Sequence, residues 1–354
     1  MDIQILPVNE TKQPVKDESN LVFGKEFTNR MFVMEYETGK GWHSPRIQQY
    51  GPFSLDPAAL VLHYAQEIFE GLKAFRRDDG EIALFRPRDN FERFNLSARR
   101  MCMPELDVDL CLKALNELLK LEQNWVPHSK GTSLYIRPTM IATEPVLGVK
   151  PADQYLFYII LSPVAAYYSG GLSPVKILVS DEYSRVPAGG TGEAKTGGNY
   201  ASSLYASTLA SQKGYDQVLW LDSVERKYVE EVGSMNICFL YDGKVVTSPL
   251  KGSILNGITR RSILTLVKEF GYEVEERALS IDEVLEGAKN GRLTEAFGTG
   301  TAAVVSPVGQ FTYQEKDVLL GDGNAGELTM KLYDTLTGIQ YGQCEDKHNW
   351  VSLL

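Results

Sequence analysis

Apolar positions recur along this 354-residue chain with two different periods, and stretches of each kind alternate. Residues 133–142 and 155–163 read as strands. The second is apolar throughout, as a strand buried on both faces should be. Residues 72–77 and 81–86 read as strands joined at Asp78-Asp79-Gly80, a hairpin turn signal. Asp56-Pro57 supplies a cap and a first turn for a helix reaching to about Gly71. Asp89 opens a further helix with Phe91, Phe94, Ala98 and Met101 on one face. Arg93 falls nearly opposite that stripe and is expected to point away from its packing surface. Residues 110–125 form another amphipathic helix.

The pattern breaks at Tyr167-Tyr168-Ser169-Gly170-Gly171-Leu172-Ser173-Pro174, where glycines followed by proline predict a linker. Beyond it, strands at 175–180, 217–222, 236–241, 244–247 and 272–278 alternate with helices at 200–213, 259–270, 281–289 and 327–338. Asp242-Gly243 marks another hairpin. The expectation is a mixed α/β (α+β) fold in two domains, a smaller one over 1–166 and a larger one over 175–354, joined by 167–174.

Composition narrows the class. A hydrophobic share of 43% and a charged share of 23% are those of a soluble globular protein. The net charge of −10 argues against a nucleic-acid partner and gives no pull toward an anionic membrane. The longest apolar runs, near 155–161, are too short to span a bilayer. Four cysteines and four histidines lie scattered with no zinc spacing, and they read as the reduced residues of a cytoplasmic protein. The first twenty residues lack the basic start and apolar core of a signal peptide and read as a loose leader.

The chemistry concentrates at Lys195, in Ala188-Gly189-Gly190-Thr191-Gly192-Glu193-Ala194-Lys195-Thr196-Gly197-Gly198-Asn199-Tyr200. Glycines on both sides let the backbone turn sharply and a bulky ligand come close. A lysine amine here could hold a phosphate as a point charge or form an imine with a carbonyl. The phosphate-loop pattern fails, because Ala194 stands where its second glycine is required and Gly197-Gly198-Asn199 follows. A surface loop that happens to contain a lysine remains open on this segment alone.

An imine-forming pyridoxal cofactor would also need a carboxylate and a phosphate cradle. Glu230 and Glu231 are adjacent in a strand-like stretch, so only one of them can face a given site. Leu255-Asn256-Gly257-Ile258-Thr259-Arg260-Arg261 leads into an apolar-periodic helix and offers N–H groups and a hydroxyl at its start. Phe297-Gly298-Thr299-Gly300-Thr301-Ala302-Ala303 is a second loop with glycines and hydroxyls, and Arg93 adds a fixed positive fork. Each has a plain structural alternative: edge glutamates, ordinary capping, a tight turn, a solvated arginine.

Taken together and in order, these segments resemble the class IV pyridoxal-phosphate aminotransferases, and among them the branched-chain amino acid aminotransferases. The resemblance rests on Leu21-Val22-Phe23-Gly24-Lys25, on Leu62-His63-Tyr64-Ala65-Gln66-Glu67-Ile68-Phe69-Glu70-Gly71-Leu72-Lys73-Ala74-Phe75, and on Leu134-Tyr135-Ile136-Arg137-Pro138. It continues through Glu144-Pro145 with Leu147-Gly148-Val149, Gly197-Gly198-Asn199-Tyr200, Glu231-Val232-Gly233-Ser234-Met235-Asn236 and Phe297-Gly298-Thr299-Gly300-Thr301-Ala302.

The resemblance implies pyridoxal 5'-phosphate as cofactor and assigns roles. Lys195 would be the Schiff-base lysine, Glu231 rather than Glu230 would pair with the ring nitrogen, and Tyr200 would bond the ring hydroxyl. Arg93, Ile258, Thr259 and Thr301 would hold the phosphate. Phe23, Tyr64, Phe69, Tyr135, Tyr167 and Ala302 would shape the side-chain pocket, with Arg137 at the substrate end. Val149 would reach that pocket from the partner subunit of a homodimer.

The implied reaction is reversible transamination of L-leucine, L-isoleucine and L-valine with 2-oxoglutarate, giving branched-chain 2-oxo acids and L-glutamate. That places the chain at the last step of branched-chain amino acid synthesis and the first of degradation. Some family members carry a redox Cys-x-x-Cys after the Gly-Thr turn. Here the stretch is Ala303-Val304-Val305-Ser306, so no thiol switch can operate at that loop. The competing readings are a D-amino acid aminotransferase, an aminodeoxychorismate lyase, and a phosphate-ligand binder in which Lys195 is only a charge.

Overall fold

The computed structural model describes residues 1–165 and 172–354, which group into two compact units. One unit comprises Met1–Ser169, Ala194–Gly197 and Gly338–Leu354, and the other Gly170–Glu193 and Gly198–Thr337. The first thus takes in two segments from beyond the predicted linker. Tyr167 and most of that linker lie outside the described residues.

The first unit is built on one mixed sheet. Its strands are β1 (Gln4–Ile5), β2 (Arg30–Glu37), β3 (Gly41–Gln49), β4 (Glu67–Phe69), β5 (Leu72–Arg76), β6 (Ile82–Phe85), β7 (Ser133–Ala142) and β8 (Gln154–Val164). They run in the order β1-β3-β2-β8-β7-β5-β6, with the C-terminal strand Val351–Leu353 added beside β6 and β4 paired to β7. Strand β7 shows why one face is core. Leu134, Ile136, Met140 and Ala142 join the main apolar cluster with Phe91, Phe94, Leu115 and Leu118 of helices α2 (Pro87–Arg100) and α3 (Val108–Glu122). Tyr135, Arg137 and Thr139 alternate with them and so face the other way.

Several sequence expectations meet this sheet directly. The strands at 133–142 and 155–163 and the hairpin across Asp78-Asp79-Gly80 are present, and 110–125 becomes α3 followed by a 3-10 turn at Gln123–Trp125. The helix expected from Asp56-Pro57 to Gly71 is corrected. Only α1 (Leu60–Tyr64) forms, closed by Ala65 in the left-handed region with φ 49°, after which β4 pairs antiparallel with β7. Cross-strand pairing outweighs the local helical signal. The leader is also tied down at points. β1 pairs parallel with β3, and the Glu18 carboxylate accepts N–H bonds from His128 and Ser129.

The second unit carries β9 (Val175–Ser180), β10 (Gln217–Leu221), β11 (Val229–Val232), β12 (Met235–Tyr241), β13 (Lys244–Thr247), β14 (Val274–Glu276), β15 (Leu293–Gly300), β16 (Val304–Tyr313) and β17 (Lys316–Leu319). Because β11 pairs with both β10 and β12, the strands β9, β10, β11, β12, β15 and β16 close into a ring. The helices beyond the linker are α4 (Gly197–Ala201), α5 (Leu204–Gln212), α6 (Ile258–Glu269), α7 (Ile281–Asn290) and α8 (Glu327–Tyr341).

Two further expectations change here. The helix predicted over 200–213 is split into α4 and α5 at Ser202-Ser203, whose hydroxyls donate to the carbonyls of Asn199 and Tyr200. Such local bonds compete with helix continuation. Residues 297–300, read as part of a loop, are the end of strand β15, and only 301–303 turn.

Candidate active site

In the first unit, Lys195 runs alongside β4. Its N–H donates to Ser97 Oγ at 2.9 Å, its carbonyl accepts from Phe69 N–H at 3.0 Å, and the next residue's hydroxyl, on Thr196, donates to the Glu67 carbonyl at 2.7 Å. The lysine backbone is therefore fixed to both α2 and β4. Its Nζ lies 5.0 Å from the centre of the Phe69 ring.

The glycines around Lys195 serve the protein's own packing. A side chain at Gly192 would meet the Ser253 backbone, and one at Gly197 would meet the Glu67 carboxylate. The expectation that these positions leave room for a ligand is corrected at both.

Helix α2 supplies a second stripe. Asn90, Arg93 and Ser97 follow one another at helical spacing, and all three are buried. Arg93 is only 6% exposed, so the expectation of a guanidinium turned away from packing is also corrected. Its Nε and Nη2 donate to the two oxygens of Glu70 at 2.7 and 2.9 Å. Asn90 Nδ2 adds a bond of 2.8 Å to the same carboxylate. Burial pushes the fully buried Glu70 carboxyl up, but Arg93, then Lys195 and Asn90, outweigh it and hold it below the usual carboxylate range.

The pocket candidates of this unit form a connected set on the non-core face of the sheet. Phe23 packs edge-on against Tyr135 with centroids 4.7 Å apart. The Arg137 guanidinium donates to the Tyr135 hydroxyl at 3.1 Å and lies 4.6 Å over the Phe69 ring. A side chain at Gly71 would collide with that same hydroxyl. Tyr64 stands apart, donating to the Leu147 carbonyl at 2.6 Å, and Val149 is 83% exposed in the loop that follows.

In the second unit, Glu231 is the buried member of its pair and Glu230 the half-buried one, on opposite faces of β11 as the strand period requires. Glu231 is ion-paired with Arg185, whose Nε lies 2.8 Å away, and accepts hydrogen bonds from Asn236 Nδ2 at 2.9 Å and the Leu255 N–H at 3.2 Å. Asn236 also donates to the Leu255 carbonyl at 2.9 Å. That segment leads into α6, whose N-cap is Gly257, with no capping side chain ahead of Ile258 and Thr259. An uncapped helix start presents N–H groups suited to an anion.

Register places Glu231 opposite Asn236 and Asn236 opposite Thr299, so the three share one face across β11, β12 and β15. The Thr299 hydroxyl is buried with no partner among the described residues. Thr301 and Ala302 lie in the turn after β15, and Tyr200 in α4.

Sequence reasoning gave no role to Glu70, Asn90, Ser97, Arg185, Asn236 or Thr299. Asn90, Arg93 and Ser97 carried a usable signal, a polar stripe at helical spacing beside the apolar one. Glu70, a charge set among Phe69, Gly71 and Leu72, carried another. Arg185 had none, since its partner lies 46 positions away in sequence.

The family model described as Amino-transferase class IV matches residues 67–311. The chain is 56% identical over 336 residues to branched-chain-amino-acid transaminase 1 of Bacillus subtilis, covering 95% of this chain and 94% of that one. The crystal structure of the branched-chain amino acid aminotransferase of Escherichia coli is similar at 27% identity with a TM-score of 0.75, covering 91% of this chain and 98% of that one. A T.th. branched-chain amino acid aminotransferase, solved with pyridoxamine 5'-phosphate, is similar at 26% identity with a TM-score of 0.74, covering 90% and 97%. The chain belongs to the class IV aminotransferases, on the branch of the branched-chain amino acid aminotransferases.

Proposed function

We propose that this chain transfers the amino group of L-leucine, L-isoleucine and L-valine to 2-oxoglutarate, reversibly, with pyridoxal 5'-phosphate as cofactor. The observation that carries the reading is Lys195 fixed at its backbone between α2 and β4, in a chain of this family.

The residues present fit such a cofactor. Glu231 is a buried carboxylate ion-paired with Arg185, and a carboxylate is the group suited to face the ring nitrogen of such a cofactor. Ile258 and Thr259 at the uncapped start of α6, with Thr301 of the same unit, suit a phosphate. The unpartnered Thr299 hydroxyl adds a donor on the Glu231 face. Tyr200 would bond the ring hydroxyl. When bound, the cofactor supplies an electron sink for the α-carbon.

The chain's own residues then do the rest. Lys195 would anchor the cofactor, and its amine would take up and return the proton of the substrate α-carbon. Phe23, Tyr64, Phe69 and Tyr135 would line the side-chain pocket, and Val149 would complete the pocket of a partner subunit in a cytoplasmic homodimer. Among the described residues no helix is long and apolar enough to cross a membrane. Leucine, isoleucine and valine differ by a methylene or its branching, which apolar walls discriminate by only about 1–3 kcal/mol. All three are therefore substrates.

Replacing Lys195 by Ala tests the reading. Wild-type protein incubated with the cofactor should turn yellow and transaminate L-leucine but not D-alanine, and should sediment at twice the chain mass. Lys195→Ala should lose both the visible band and turnover. Full activity in that variant contradicts the role given to the lysine.

A further inference from the structure

The non-core face of the first unit's sheet carries a charge that this chemistry does not use. Glu67 begins β4, with Glu67 opposite Ile141 and Phe69 opposite Thr139. Glu67, Phe69, Thr139, Arg137 and Tyr135 therefore share that face. The Glu67 carboxyl is half-buried and fixed from one side. It accepts the Gly197 N–H and fills the space that a side chain at Gly197 would need.

Arg137 reaches over the same surface, with its guanidinium on the Phe69 ring and one nitrogen on the Tyr135 hydroxyl. Its Nε–H is buried and meets no acceptor among the described residues. No hydrogen bond joins Arg137 to Glu67 among them either. Yet the two charges sense each other. Burial raises the Glu67 carboxyl, while the Gly197 N–H and then Arg137 pull it back. The carboxylate offsets the guanidinium's charge and leaves its donors available.

We propose that Glu67 is a specificity-determining residue that weakens the attraction of Arg137 for a second substrate carboxylate and tilts the pocket toward apolar side chains. The inference rests on the transaminase reading, with Arg137 at the side-chain end of the substrate. A branched aliphatic side chain brings no charge to that end, so Glu67 leaves its binding unchanged. A dicarboxylic substrate brings a negative group that Arg137 attracts and Glu67 repels. In a half-buried setting such opposed charges act strongly, because little water screens them. An enzyme that must take both substrate kinds in turn gains a balance between them without a moving part.

The test compares wild-type holoenzyme with Glu67→Gln. For each protein, kcat/KM is measured for 2-oxoglutarate and for 4-methyl-2-oxopentanoate with the same amino donor, L-valine. Their ratio within one protein is independent of the active fraction and of any loss of stability. Glutarate and 4-methylpentanoate, which cannot react, are titrated against the cofactor's visible band to give binding without turnover.

The expected result in Glu67→Gln is a ratio shifted toward 2-oxoglutarate by on the order of tenfold, with tighter glutarate and unchanged 4-methylpentanoate. Glu67→Asp, which keeps the charge, should stay near the wild-type ratio. A shift below about threefold, or one toward the apolar substrate, overturns the inference. Wild-type protein that transaminates neither substrate overturns the proposed function itself, whereas an unchanged ratio in active proteins removes only the role of Glu67.

Discussion

At the scale of single residues, burial decides which charges matter. Lys73 of β5 sits cross-strand from Tyr135, on the face that carries Arg137 and Phe69. Burial lowers its amine from the ordinary 10.5 to about 8. Between those values the unfolded chain binds the proton more readily than the folded one, so folding stability rises with pH across that window. Below about 8 both forms are protonated and the full cost of the buried charge is present. Lys73→Met should therefore remove a pH-dependent stability difference on the order of 3 kcal/mol between pH 8 and 10.5. Urea unfolding of both proteins across that range measures it, and parallel stability curves would contradict it. The residue is polar yet sits in a strand, and only its cross-strand neighbour in the folded sheet reveals that it is desolvated.

At the scale of elements, a buried tie in the first unit runs from Glu70, just after β4, to Arg93 and Asn90 of α2. Removing one member of a buried ion pair leaves the other charge unpaired and costs about 3–5 kcal/mol. Glu70→Ala should lose that much by urea unfolding, and Glu70→Ala with Arg93→Met should recover part of it. A loss below about 1 kcal/mol in the single variant would show the tie to be weak. The helix α2 itself was legible, because Phe91, Phe94 and Ala98 repeat at its period. The strands β7, β9 and β13 were legible to the residue, because each combines β-branched or aromatic positions with a turn signal at its boundary. The segment after Asp56 was not. Its apolar residues fit a helix as well as they fit α1 and β4, and the choice is made by β7, some seventy positions on. The pair β2–β3 and the strand β15 escaped for the same reason. The site divides along similar lines. Lys195 and the start of α6 announce themselves through neighbouring glycines, and Glu231 through its strand-like, apolar-flanked stretch. Glu70, Arg185 and Thr299 acquire meaning only from partners distant in sequence.

At the scale of the whole molecule, each unit holds its own buried polar cluster. The first fixes Lys195 beside Phe69, Arg137 and the Glu70–Arg93 pair. The second aligns Glu231, Asn236 and Thr299 across three strands and opens α6 with no capping side chain. Membership in the aminotransferase family favours an enzyme over a passive phosphate binder. The account turns on Lys195 and its cofactor accepting an amino group from a branched-chain amino acid before any acceptor is present. The most direct test is a single half-reaction. Holoenzyme is mixed with L-leucine in the absence of any 2-oxo acid, and the visible cofactor band and released 4-methyl-2-oxopentanoate are followed together. The account predicts loss of the band with one 2-oxo acid released per Lys195, and return of the band when 2-oxoglutarate is added. A band that persists with L-leucine but bleaches with D-alanine, or 2-oxo acid formed equally by Lys195→Ala, would contradict it.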